Sequence, residues 1–273
     1  MATSYTFTDV IAREPGDSVI QGLRDGDGPN PDAGAFRQQH TDYLSVLRDV
    51  GVNTLVLPVL EAFPDSVFVE DAALVFGDTA IALRPGAPTR QGEVAALLPT
   101  LQSEFKRVLS LADIDPDACV DGGDILIAEQ DVFAGESART NRKGIEILSA
   151  LLTELGYRLR AVNTPASILH FKTACGLLDE ETVFATRALA ATGCFSGYKV
   201  IEAVDDEEAA ANLVRMNDWV LVASGYPATC ELLEREGYRV RTVDISEAAR
   251  IDGGLSCMSL RFDRGYTPRP RVL

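Results

Sequence analysis

Lysine is scarce, at four of the 25 basic residues, and the bases are outnumbered by 41 acids, for a net charge of −16. Nucleic acid is thereby disfavoured as a partner, because its binding leans on cationic side chains against phosphate. A cationic small ligand is favoured at any cleft lined by carboxylates. The five cysteines, Cys119, Cys175, Cys194, Cys230 and Cys257, are odd in number, widely spread and include no C-x-x-C pair. That argues against a disulfide framework and against a zinc site. Histidine is limited to His40 and His170. No apolar run approaches the ~20 residues needed to span a bilayer, and the N-terminus has no basic-then-apolar signal pattern. These absences predict a reduced, cytoplasmic protein with no membrane partner.

What is present reads as one globular unit over 1–273, with 46% hydrophobic residues. An N-terminal strand leads into 16–34, where Gly22, Gly26, Gly28, Pro29, Pro31 and four aspartates describe a long loop of the kind that forms lids. An amphipathic helix follows over 34–49, with Phe36, Tyr43, Leu44 and Leu47 on one side and His40 expected at the surface or in a cap.

From Gly51 a pattern recurs: a helix ends on glycine, where a left-handed cap is easiest, and an apolar strand starts at once. Three copies share Gly-Tyr-(Arg/Lys)-apolar, at Gly156, Gly197 and Gly237, spaced 41 and 40 residues apart. A degenerate copy fits near Phe105–Leu109. About five strand-and-helix units with no long linker predict a repeat architecture closed radially, an α/β propeller with pseudo-fivefold symmetry and ββαβ-type units around a central site.

In a radial array, equivalent positions converge on the axis. Fourteen residues past Gly51 lies Asp65, and twenty past it lies Asp71; fourteen past Gly156 lies His170. Fifteen past Gly197 lies Asn212; fifteen and twenty past Gly237 lie Asp252 and Cys257. Asp121-Gly-Gly-Asp124 echoes Asp252-Gly-Gly. Cys257 could be a buried structural thiol or a nucleophile, and the company it keeps at this phase favours the nucleophile. His170 is then its partner. Adjacent Glu70 and Asp71 within an apolar run need a cationic partner, for which a planar guanidinium is better suited than a metal. Arg84, which leads toward a helix carrying Arg90 and Glu93, could with Arg139 clamp a carboxylate. Carboxylates at one end of a ligand and arginines at the other describe an arginine-like amino acid.

These residues lie in strings that closely resemble the dimethylarginine dimethylaminohydrolases of the guanidino-modifying superfamily. The strings are Gly22-Leu23, Pro64-Asp-Ser-Val-Phe-Val-Glu-Asp71, Arg84-Pro-Gly-Ala, Asp121-Gly-Gly-Asp-Ile, Gly135-Glu-Ser-Ala-Arg-Thr-Asn141, Leu169-His-Phe-Lys-Thr and Ile251 to Phe262. The resemblance implies a five-bladed α/β propeller that hydrolyses Nω-methylated arginine to citrulline and a methylamine, with no cofactor and no metal. It implies Cys257 as nucleophile, His170 as general acid and base, and Asp121 as the acid orienting the histidine. It further implies substrate contacts from Asp65, Glu70 and Asp71, from Arg84 and Arg139 at the α-carboxylate, and from the main chain of Leu23 and Ile251. Asp252 is expected to touch substrate or wall the pocket. Phe171 departs from the leucine often found in relatives, and a tail at 263–273 extends past the usual end. An arginine or agmatine deiminase, or a non-catalytic propeller binding cationic amino acids, are the alternatives. A homodimer is the expected assembly.

Overall fold

The computed structural model describes residues 3–264. Among them fifteen strands form five three-stranded sheets: β15-β1-β2, β3-β4-β5, β6-β7-β8, β11-β10-β9 and β12-β13-β14. The strands run β1 Asp9–Arg13, β2 Asn53–Leu57, β3 Ala73–Phe76, β4 Thr79–Ala82, β5 Arg107–Ser110, β6 Ile125–Ala128, β7 Asp131–Glu136 and β8 Arg158–Asn163. They continue as β9 Cys175–Leu177, β10 Thr182–Ala185, β11 Lys199–Glu202, β12 Val214–Met216, β13 Trp219–Ala223, β14 Arg239–Val243 and β15 Leu260–Phe262.

Four sheets are built alike. An antiparallel hairpin such as β3–β4 is followed by a helix, Gln91–Glu104, and by a strand parallel to the middle one, β5. The fifth sheet joins the two ends of the chain. β1 pairs parallel with β2 through the helix Ala33–Asp49 and antiparallel with β15, in the register Asp9↔Phe262. This closes the ring. The innermost strands β3, β6, β9, β12 and β15, one from each sheet, all line a single axial cavity of about 130 Å³. The five-bladed α/β propeller expected from the repeat is therefore the fold.

The strand sequences explain their places. Middle strands such as Thr-Ala-Ile-Ala of β4 and Trp-Val-Leu-Val-Ala of β13 are nearly continuous apolar runs, as burial on both faces requires. The Gly-Tyr-(Arg/Lys) segments start the outermost strands β8, β11 and β14, where alternation is kept and charge blunts the open edge. Arg160 and Arg239 cover the rings of Phe133 and Trp219 at 4.8 and 4.0 Å. Gly51, Gly156 and Gly237, at φ 91°, 85° and 93°, are the left-handed residues that follow their helices, whereas Gly197, at φ 90°, closes a turn well beyond the helix Arg187–Ala190.

The helix Ala33–Asp49 is capped by Asp32, whose carboxylate accepts the Ala35 amide at 2.7 Å. His40 is buried on its inner face, not at the surface as expected, because it falls one turn from Phe36 and Leu44. Burial pushes its pKa down to about 4. Within 16–34, the short 3-10 helix Asp17–Gln21 docks through the buried Val19, and 22–32 is irregular up to the helix at Ala33. Of the tail expected at 263–273, only Asp263 and Arg264 are among the described residues. No helix among the described residues is long and apolar enough to cross a membrane.

Candidate active site

Short turns precede the innermost strands, and the chemically useful side chains sit on them. Val69–Ala72 precedes β3, Gly122–Asp124 precedes β6, Phe171–Thr173 precedes β9, and Glu208–Ala211 precedes β12. The fifth blade contributes the turn from Gly253 to Ser259 before β15. Equal phase in the repeat thus becomes one end of the axis. There a pocket is lined by Leu23, Asp65, Asp71, Arg139, His170, Ile251, Asp252 and Cys257 among the expected residues.

His170 is the residue just before its turn, and its Nε2 meets Asp121 Oδ2 at 2.9 Å, with Asp121 fully buried. Asp121 also accepts the Gly86 amide at 2.7 Å, which fixes the carboxylate. Among the described residues no hydrogen bond is made by His170 Nδ1, the ring nitrogen turned away from Asp121. Asp124 Oδ1 accepts the Phe171 amide at 2.8 Å and so braces the same turn. Burial works against the His170 charge, yet the charge of Asp71 and the bond to Asp121 outweigh it and raise its pKa to about 9. Gly123 is required here: a Cβ would lie 2.9 Å from both His170 Nδ1 and Asp71 Oδ1.

Cys257 is partly exposed in the pocket, and its Sγ accepts the Gly254 amide at 3.4 Å. Burial first, then the carboxylates of Glu70 and Asp71, push the thiol up to about 12. The turn that carries it is braced by Asn212, whose Oδ1 accepts the Ser256 amide at 3.1 Å while its Nδ2 donates to Lys172 O at 2.9 Å. The axis phase pointed to Asn212, but its role is to hold the cysteine loop.

Two of the expected residues, Arg84 and Glu70, do not line this pocket. Arg84 lies outside the pocket. It sits on a bridge to Val120, and its Nη1 donates to Cys119 Sγ at 2.9 Å. The pocket arginine on that segment is Arg90, six residues on, beyond the turn at Pro85–Pro88 that redirects the chain. Glu70, expected at the substrate, turns away from the pocket, because neighbouring residues of a tight turn point in different directions. Its carboxylate lines the axial cavity instead, held by Lys172 Nζ at 2.6 Å, Ser256 Oγ at 2.9 Å and the Arg261 guanidinium. Asp71 faces the pocket. Phe68 and Leu169, both inside the quoted strings, supply apolar wall.

Arg90 is buried and fully engaged. It donates to Asp71 Oδ2 at 2.5 Å, to both Glu93 oxygens at 3.0 and 2.8 Å, and to the carbonyls of Asp65 and Phe68. Burial opposes ionisation of Asp71, but the Arg90 charge and that of His170 hold its pKa near 2. Sequence could signal Arg90 only as an i, i+3 pair with Glu93, which is the mark of any helix start. Arg90→Met should lower the free energy of unfolding by about 3 kcal/mol or more, since Asp71 and Glu93 would stay buried without their counter-charge. Urea denaturation reads this, and an unchanged midpoint would refute it.

Asp71, Asp121 and His170 bring potential ligand atoms within 4.8 Å of one another, a composition that could hold a metal ion. Each is otherwise committed: Asp71 to Arg90 and the Gly123 amide, and His170 to Asp121. A guanidinium already against Asp71 makes this a poor cage for a dication.

The loop at 16–34 covers the pocket. The Leu23 amide donates to Asp65 Oδ1 at 2.9 Å, and the Asp25 amide to Asp252 Oδ2 at 2.6 Å. Burial raises the Asp65 pKa. Asp252 adopts φ +57°, which aims its carboxylate at the loop; it walls the pocket by anchoring this cover.

A chain that places a thiol, an acid-backed histidine and buried carboxylates at the end of a five-bladed ring has similar relatives. The family model described as N,N dimethylarginine dimethylhydrolase, eukaryotic, matches residues 33–184. An N(G),N(G)-dimethylarginine dimethylaminohydrolase of Pseudomonas aeruginosa is 38% identical over 256 residues, covering 94% of this chain and 100% of that one. One of Streptomyces coelicolor is 31% identical over 257 residues, 94% of this chain and 97% of that one. The crystal structure of the Pseudomonas enzyme, a cysteine-to-serine mutant complexed with citrulline, superposes with a TM-score of 0.90 at 37% identity, over 94% of this chain and 100% of that one. The N-terminal domain of a cyanobacterial arginine dihydrolase shares the fold, with a TM-score of 0.80 at 18% identity over 93% and 97% of the two chains. Matched over 94% of its length by the first of these relatives, and over more than half by the family model, the chain belongs to the dimethylarginine dimethylaminohydrolase family.

Proposed function

We propose that this enzyme hydrolyses Nω-methylated L-arginine to L-citrulline and a methylamine through a covalent intermediate on Cys257. The observation that carries the mechanism is the presence of Cys257, Asp71 and the His170–Asp121 pair in one pocket. With pKa values of about 12 and about 9, the resting pair at neutral pH is a thiol and an imidazolium.

A guanidinium carbon is a weak electrophile, so it needs a thiolate and a leaving group that departs protonated. The cationic substrate supplies the first condition. Its charge beside the thiol favours loss of the Cys257 proton to solvent, while Asp71 holds the guanidinium in line. The thiolate forms a C–S bond at the guanidinium carbon. The C–N bond to dimethylamine breaks as the His170 imidazolium gives that nitrogen its proton, leaving an S-alkyl thiouronium and a neutral imidazole. His170 then takes a proton from water as the oxygen adds to the same carbon. The C–S bond breaks, the hydroxyl proton is lost, and citrulline and free Cys257 remain. Leu23, Ile251 and Arg139 serve the amino-acid end.

Incubation with asymmetric dimethylarginine should release citrulline and dimethylamine in equal amounts. Folded protein that yields no citrulline would overturn the reading, and ammonia released from free arginine in preference would favour a deiminase. Five unpaired cysteines fit a reducing compartment, and we place the enzyme in the cytoplasm.

A further inference from the structure

Arg24 stands apart from the other arginines. Among the described residues it is the one arginine with no hydrogen-bond acceptor, carboxylate or aromatic ring against its guanidinium, and its Nη1 is buried. It lies on the covering loop and lines the pocket together with Asp65, Arg139 and Cys257. The loop is anchored on both sides of it through main chain, by Leu23 to Asp65 at 2.9 Å and by Asp25 to Asp252 at 2.6 Å. The backbone of Arg24 is thus fixed, while its side chain reaches the pocket without a partner.

The carboxylates that could neutralise it are in use. Asp65 and Asp252 hold the loop amides, and Asp71 is bound by Arg90 and Gly123. Arg90 in turn is saturated by Glu93, Asp71 and two carbonyls, which leaves it few donors for a ligand. Among the described residues the Arg139 guanidinium approaches only the Asp121 carboxylate, at 3.8 Å. A buried guanidinium nitrogen without an acceptor is costly. A ligand carboxylate removes that cost, and the planar fork of arginine suits it.

We propose that Arg24 is a specificity-determining residue that binds the α-carboxylate of the substrate from the loop side. This rests on the amino-acid substrate proposed above. Decarboxylated or amidated guanidino compounds are then discriminated against by a residue of the cover itself.

The test uses the Cys257→Ser protein, which binds without turnover, titrated calorimetrically with L-citrulline and with L-citrullinamide, whose carboxylate is replaced by an amide. Adding Arg24→Met keeps the apolar stem and removes the charge. The preference for citrulline over the amide should fall ~10-fold or more, as expected for a charged hydrogen-bonded pair. Affinity for the amide should stay nearly constant, and Arg24→Lys should restore part of the preference. An equal loss for both ligands would overturn the proposal, because it would show Arg24 only packing the loop. An unchanged preference would overturn it as well. If the Cys257→Ser protein with Arg24 intact binds neither ligand, the amino-acid reading of the pocket fails, and this inference with it.

Discussion

Cys257→Ala should yield a folded protein that forms citrulline at least ~10⁴-fold more slowly than the parent, because the covalent route has no other nucleophile. The substitution removes one sulfur atom from a partly exposed position whose loop is held by Asn212 and Ser256, so stability should change little. The other thiols are poor substitutes. Cys175 is buried with its pKa pushed well up by burial, burial also raises Cys194 and Cys230, and Cys119 lies with Arg84 outside the pocket. Mass spectrometry of the parent after a haloacetamidine should show one adduct, at Cys257. Since burial and the carboxylates of Glu70 and Asp71 push the thiol up to about 12, neutral iodoacetamide should react slowly at pH 8, at a rate rising roughly tenfold per pH unit. A cationic reagent should react much faster, through its own charge beside the sulfur. A Cys257→Ala enzyme with near-parental turnover would rule out the covalent route.

His170→Ala should lower turnover by about two to four orders of magnitude, the usual worth of a placed acid and base. In the parent, kcat/KM should decline above about pH 9, where the free enzyme loses the imidazolium needed to protonate the leaving amine. The same group makes stability depend on pH. His170 binds its proton more tightly in the folded state, at about 9 against about 6.5 when exposed. Its contribution is complete below pH ~6.5 and is lost as pH rises through about 9. The melting temperature of the parent should therefore fall across that window, and the His170→Ala protein should show a smaller fall. Equal slopes in the two proteins would mean that Asp71 and Asp121 do not raise the His170 pKa.

The ring and its working end were legible in the sequence. A Gly-Tyr-(Arg/Lys) motif every 40 or 41 residues marks the outer strand of successive blades, because the chain turns through a left-handed residue before each one. Counting from those glycines reached Asp65, Asp71, His170 and Cys257, since equal blades deliver equal positions to the same end of the axis. The family strings added Asp121, whose carboxylate does meet His170.

Direction was not legible. Glu70 and Asp71 are neighbours in one string, yet the first faces the axial cavity and the second the pocket. Arg84 and Arg90 lie six residues apart across a proline-bounded turn, and only the second reaches the site. His40 looked like a surface residue and is core. Spacing along the chain determined which blade and which level of the axis each residue occupies, because those follow from the repeat. Which way a side chain points depends on the tight turns and on the neighbours packed against them from other blades, Lys172 and Arg261 for Glu70 and the Gly123 amide for Asp71. Those partners lie fifty to nearly two hundred residues away in sequence, so only the closed ring brings them together.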